Sequence, residues 1–297
     1  MRSLIIINGY PSAEKFLLQG KKIQSALEKM GVETDLKKNG EVYALLKENG
    51  EIDSLAKNYD FAVYLDKDKY LPYMLEKMGL RLFNSARAVE ICDDKMTTYL
   101  ALGNCGVRLP KTIPAPLCYT KGAMVNKGFL DNASKELGFP LILKKSYGSF
   151  GDGVHLVHGM PELKKMAQEC LHQPHFFQEY IEESKGRDIR VIVIGGKALG
   201  GMERVAQDSE FRSNIELGGV GRKIELSAKY QETAEKVAQV LNLDYCGVDL
   251  LETKQGPVVC EVNSNAFFEG FEKVTGIDVA TAYAEYMIAS MKKRCFQ

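Results

Sequence analysis

The segment Pro140-Leu141-Ile142-Leu143-Lys144-Lys145-Ser146-Tyr147-Gly148-Ser149-Phe150-Gly151-Asp152-Gly153-Val154 constrains the fold more than any other. An apolar strand ends in two lysines, a loop follows with three closely spaced glycines, and a second strand begins at Val154. Such a loop lets backbone N–H groups come close to phosphate oxygens, and Lys144, leaving the strand, supplies countercharge. A flexible hairpin with a solvated lysine fits the same residues, so this segment alone leaves both readings open. Two other phosphate loops are excluded. The G-x-x-x-x-G-K-[ST] pattern is absent, and a strand-to-strand setting is not that of the dinucleotide-binding fingerprint.

The rest of the chain supplies the frame for this loop. Residues 4–7 are apolar without alternation, as in a parallel strand covered on both faces, and an amphipathic stretch over 13–30 follows until Gly31 stops it. Strands over 32–36 and 61–65, with helices over 69–78 and 85–92, make residues 1–92 a small α/β unit. A second unit, 93–185, starts with a helix at Asp94-Lys95 and passes through an extended segment after Leu109-Pro110. It continues with helix 131–137, strands 141–145 and 154–158, helix 161–171 and strand 176–179. In the third, 186–297, strands 189–194 and 198–204 meet at Gly195-Gly196, a good hairpin turn. Helix 228–241, a hairpin of strands 247–251 and 258–262, and a final helix over 279–292 complete an α+β unit.

The second hairpin carries Asp249 on one strand and Glu261 and Asn263 on the other, around Lys254-Gln255-Gly256. A regular antiparallel register centred near Gln255 sets Asp249 opposite Glu261, about 5 Å apart at Cβ, and the two-residue period puts Asn263 on the same face. Two carboxylates and an amide oxygen form a hard, all-oxygen set suited to Mg²⁺, which takes its other ligands from water and phosphate. A polar outer face with Lys and Arg partners is the competing reading. The absence of a basic residue between the three acceptors favours the metal. His155-x-x-His158 and His172-x-x-His175 do not make a zinc site: i and i+3 on a strand point to opposite faces, and Pro174 makes the second pair irregular.

Composition narrows the functional class. Lys plus Arg number 39 and Asp plus Glu 39, so no strong global field favours a polyphosphate backbone, and nucleic-acid binding is disfavoured. The seven cysteines contain no C-x-x-C pair and read as reduced thiols. The apolar run at 4–7 is too short for a signal-peptide core or a membrane span, so a cytoplasmic protein is expected.

In order along the chain, Asn84-Ser85, Asp94-Lys95, Pro140 to Val154, Gln178-Glu179-Tyr180-Ile181, Asp188-Ile189-Arg190, Phe211-Arg212-Ser213-Asn214, Gly247-Val248-Asp249, Glu261-Val262-Asn263 and the run from Glu269 to Gly276 resemble the ATP-grasp ligases, and within them the RimK-type amino-acid ligases. The resemblance covers roughly residues 84–290. It implies an ATP-grasp fold of mixed α/β and α+β character: an N-terminal α/β domain, a small central domain and a C-terminal α+β domain, with ATP between two antiparallel sheets. Lys95 and Lys144 would contact the phosphates. The loop with Ser146, Gly148, Ser149, Gly151 and Gly153 would close over them as a lid. Glu179, Tyr180 and Ile181 would meet the adenine, with Asp188 near the ribose. Asp249, Glu261 and Asn263 would hold Mg²⁺, or Mn²⁺ in its place, and Arg204, Arg212 and Asn214 would face the reacting phosphate and substrate.

The implied reaction is ATP-dependent amide formation through an acyl phosphate, joining an amino acid such as glutamate to a small-molecule or peptide carboxylate. Family members often form dimers or tetramers, and neither a nucleic acid nor a membrane is an expected partner. A regulatory ATP-binding protein without catalysis and a dipeptide or D-alanine-type ligase are the alternatives. One departure stands out: where the family usually has a Ser-Pro-Gly stretch after the metal hairpin, this chain has Ser264-Asn265-Ala266-Phe267-Phe268. Two aromatic residues and no proline should reshape the acceptor side of the cleft.

Overall fold

The computed structural model describes residues 1–10, 14–149, 151–207, 213 and 219–294. The elements run β1 (Arg2–Ile7), α1 (Glu14–Lys29), β2 (Glu33–Lys38), β3 (Ala44–Leu46), β4 (Ile52–Ser54), β5 (Phe61–Leu65), α2 (Tyr70–Lys77), β6 (Arg81–Phe83), α3 (Ala86–Asp93) and α4 (Lys95–Leu102). Then follow β7 (Thr112–Pro114), α5 (Lys127–Leu137), β8 (Leu141–Lys145), β9 (Val154–Val157), α6 (Met160–Cys170) and β10 (His175–Glu179). The remainder is β11 (Arg187–Ile194), β12 (Lys197–Val205), β13 (Val220–Ile224), α7 (Ala228–Val240), β14 (Tyr245–Leu251), β15 (Val258–Asn263), α8 (Glu269–Thr275) and α9 (Val279–Arg294).

Strands β2-β1-β5-β6 form a parallel sheet. The unalternated apolar run of β1 has a direct cause: Ile5 and Ile7 pack on one face in a core shared with α1 and α9, while Leu4 and Ile6 pack on the other with Leu71 and Leu75 of α2. Gly31, with φ +81°, ends α1 as expected. The strands β3, β4 and β6 were not expected. They are three residues each, and the β3–β4 hairpin leaves Leu45 and Leu46 exposed, so neither length nor periodicity marks it.

The second sheet, β7-β10-β8-β9, is antiparallel where its pairings are seen, with α5 and α6 packed on one face through Leu141, Leu143 and Phe177. The third, β13-β12-β11-β14-β15, is wholly antiparallel. Alternation divides its side chains cleanly: Val191, Val193, Val248 and Leu250 meet α7, and Ile192 and Met202 join the core that α1, α8 and α9 share with the first sheet. The β11–β12 hairpin turns at Gly195-Gly196, both with positive φ (57° and 75°), as the turn needs. Among the described residues no helix is long and apolar enough to cross a membrane.

The β14–β15 register holds a surprise. Asp249 does pair with Glu261 and Gly247 with Asn263, but Leu250 pairs with Val259 and Leu251 with Val258. The hairpin is therefore not regular. One extra residue, Cys260, is accommodated in a bulge, and only this bulge brings Glu261 opposite Asp249.

Candidate functional site

The second and third sheets face each other across a cavity of about 110 Å³. Period-two geometry selects its lining. On β8, Leu141 and Leu143 enter the core, so Ile142 and Lys144 face the cavity. From β10 and the residues after it come Gln178, Glu179, Tyr180 and Ile181; from the third sheet come Asp188, Arg204, Asp249, Cys260 and Glu261. Lys95, the first residue of α4, completes the ring, positioned by an N-cap in which Asp94 accepts hydrogen bonds from the backbone N–H groups of Met96 and Thr97 at 2.9 and 3.2 Å.

The third sheet contributes a chain of charges set by register. Asp188 lies opposite Arg204 and Arg190 opposite Asp249 on neighbouring strands. Arg204 donates twice to Asp188, at 2.7 and 2.5 Å, and reaches Asp249 Oδ2 at 2.9 Å. Arg190 donates twice to Asp249, both at 2.7 Å. Such bidentate pairs fix the planes of all four groups. Burial pushes the Asp249 carboxyl up, but the guanidinium groups of Arg190 and Arg204 outweigh this and hold it below the usual carboxylate range. Burial also works against charge on Lys144, and its neighbours Cys260, Tyr99 and Glu261 outweigh that, so its pKa is raised and it is cationic.

This arrangement corrects the premise that the acceptor trio has no basic residue among it. Arg190 and Arg204 hold Asp249, and Lys95 lies 3.4 Å from Glu261. Asp188, expected beside a ribose, is the bidentate partner of Arg204 and also lines the cavity. Arg204 itself is only 2% exposed, buried among carboxylates.

Described residues of the glycine-rich loop border the cavity. Lys95 Nζ donates to the Gly148 carbonyl at 2.8 Å, and Lys95 N–H to the Ser146 carbonyl at 3.0 Å. Lys67, from the end of β5, reaches Ser149 Oγ at 3.2 Å and Asp93 at 2.8 Å. Gly151 lines the first cavity; Ser149 and Asn263 line a second, of about 180 Å³, next to it. Ser146 is buried, and Gly153 (φ +70°) packs so tightly that a Cβ would lie 2.6 Å from the Lys145 side chain. Arg212 and Asn214 lie outside the described residues; Ser213 between them is buried in the cavity wall.

Sequence reasoning missed several participants. Arg190 was visible two residues from Asp188, which puts it on the same strand face, but its role needed the strand order. Cys260 enters the cavity only through the bulge, and its sulfur lies 3.9 Å from Lys144 Nζ. Lys67 follows β5 and meets Asp93 at the end of α3 and Ser149 of the glycine-rich loop, 26 and 82 residues away in the chain. No group of three His, Cys, Asp or Glu side chains able to hold a metal lies among the described residues. The candidate set has two carboxylates and an amide.

Comparison with known proteins bears on this geometry. The model of the RimK-like ATP-grasp domain matches residues 93–287. A β-citrylglutamate synthase B of Danio rerio is 36% identical over 234 residues, covering 78% of this chain and 56% of that protein. The chain thus spans little more than half the length of that relative. A probable α-L-glutamate ligase of Vibrio atlanticus is 36% identical over 224 residues, 73% of this chain and 70% of that one. In fold, the chain is similar to a D-alanine–D-alanine ligase from Bacillus anthracis whose crystal structure is of its complex with ATP, with TM-score 0.72, 22% identity and 99% of both chains covered.

Proposed function

This chain belongs to the RimK-like ATP-grasp family, and from that premise we propose that it is an ATP-dependent carboxylate–amine ligase. It joins an amino acid to a carboxylate through an acyl phosphate. The observation that carries the proposal is the meeting, around one cavity, of Lys144 and Lys95 with the oxygen set of Asp249 and Glu261, with Gly151 of the glycine-rich loop in its wall. Lysines without carboxylates would serve a simple anion site. Carboxylates facing lysines across a cleft suit a metal-bound triphosphate, in which both signs of charge need a partner.

The donor chemistry fits Mg²⁺. All three side chains carry oxygen, the Asn263 amide nitrogen donates to Asp249 Oδ2 at 3.5 Å, and among the described residues Asp249 Oδ1 accepts only from Arg190 Nε. Asp249, Glu261 and Asn263 would hold the ion, which supplies neutralisation of phosphate charge. The chain's own residues do the rest. Lys144 and Lys95 bind phosphate oxygens. Arg204 and Arg190, held rigid by carboxylates, present fixed positive charge to the negative oxygens that develop during reaction. The loop over 146–153 excludes water from the acyl phosphate. An acid oxygen attacks the γ-phosphorus and ADP leaves. The amine nitrogen then attacks the acyl carbon, phosphate leaves, and the nitrogen gives up a proton.

ADP release, measured with Mg-ATP against a matrix of amino acids and carboxylic acids with mass spectrometry of the products, tests this. The expected product has the mass of acid plus amine less one water. Tight ATP binding without turnover across the matrix would favour a nucleotide-binding regulator; failure to bind ATP would end the proposal.

A further inference from the structure

The two aromatic residues that depart from the family pattern have different fates. Phe268 is 1% exposed and packs edge-on against Tyr245 at 6.4 Å in the core shared by the first and third sheets. That anchor fixes the backbone beside it. Phe267 is left half-buried in the wall of the cleft, where the Lys15 ammonium of α1 stands 4.8 Å over its ring.

Phe267 and Arg190 line two chambers at once. The inner one is the 180 Å³ cavity next to Glu261 and Asn263; the outer, about 160 Å³, lies beneath α1. The inner chamber has Lys67 and Lys95 as further cations, with Asp66 also in its wall. The outer has Lys15, Lys22 and Arg204, with Glu269; Lys22 pairs with Glu272 at 2.6 Å and Glu269 with Lys273 at 2.8 Å. Because Phe267 and Arg190 stand in the walls of both chambers, removing the ring would open one to the other.

Building on the ligase reading, we propose that Phe267 is a specificity residue that confines the acid substrate to the inner chamber and so limits the enzyme to short carboxylates and to one addition. The product of a single addition is itself a carboxylic acid, longer by one residue. To be activated in turn it must place its new carboxylate beside Glu261 and Asn263 and extend its older part elsewhere. The cationic outer chamber is the adjoining space, and the Phe267 ring stands between. A side chain anchored by its buried neighbour gives way only at the cost of that packing.

Titration calorimetry in the presence of Mg²⁺ and AMPPNP tests this with two probes, glutarate and N-glutaryl-L-glutamate, on the wild type, Phe267→Ala and Phe267→Leu. AMPPNP binding to each variant shows whether it is folded. The wild type should prefer the shorter acid by about tenfold or more, a discrimination that shape in a pocket can supply. Phe267→Ala should bring the two affinities within about threefold, and Phe267→Leu, which keeps a partition, should retain most of the preference. Wild-type binding of both acids alike, of neither, or an unchanged ratio in Phe267→Ala would overturn the inference. These binding ratios do not depend on turnover, so a protein that forms no ADP with any substrate pair would defeat the ligase reading separately. With an active pair, mass spectrometry should show single additions by the wild type and longer products from Phe267→Ala.

Discussion

Asp249 carries more of the site's electrostatics than any other residue described. It ties Arg190 and Arg204 together, and it is the central member of the oxygen set. In Asp249→Asn we expect ADP formation to fall by about a hundredfold or more, the scale on which a fixed charge at a reacting centre acts. Stability should fall too, by about 3 kcal/mol in urea denaturation, because the buried Arg204 loses one of its two carboxylates and the partly buried Arg190 its bidentate partner. The pH dependence has a definite sign. The folded-state pKa of Asp249 is depressed, so its stabilising contribution is complete above the unfolded value of about 3.9 and is lost as pH falls through the folded value. The variant should therefore lose less of its remaining stability than the wild type below about pH 4.

At the scale of elements, the N-terminus of α4 links local sequence to the site. Asp94 caps the helix whose first residue is Lys95, and Lys95 reaches both the loop at Gly148 and Glu261. Asp94→Ala should cost about 1 kcal/mol of stability, the usual value of an N-cap. It should also weaken ATP binding severalfold in calorimetry, since the Lys95 backbone loses its anchor. Most elements of this size were legible. Helices α1, α4 and α7, strands β8 and β11, and the Gly195-Gly196 turn lie where periodicity, caps and glycine put them. The three-residue strands β3, β4 and β6 were not, because so short a segment has no period to read. The bulge at Cys260 was hidden as well. It costs one residue in a hairpin whose turn still looked symmetrical, and the pairing of Asp249 with Glu261 came out as expected although the register beyond it did not.

For the whole molecule, Asn84 joins the first sheet to the third. Its amide donates to the carbonyls of Tyr245 and Ser264, both at 2.7 Å, and its side-chain oxygen accepts from the N–H groups of Asp244 and Tyr245 at 2.6 and 3.0 Å. Asn84→Ala leaves these buried backbone groups without partners and should cost about 3 kcal/mol or more, read as a lower urea midpoint. The same joint makes residues before the family-matched region part of the site: Asp66 and Lys67 stand in the wall of the inner chamber because α1 and α9 pack the two sheets into one core. The sequence by itself determined the ordered motifs, the unalternated parallel strands and the residue types that phosphate and metal chemistry need, because period, capping and glycine act over a few neighbouring positions. Tertiary structure alone decided that Arg190 pairs with Asp249, that Cys260 enters the cavity, and that of two adjacent phenylalanines one anchors the core while the other walls the cleft. Those outcomes depend on strand order and on which surfaces meet, and contacts between residues far apart in the chain leave no local pattern.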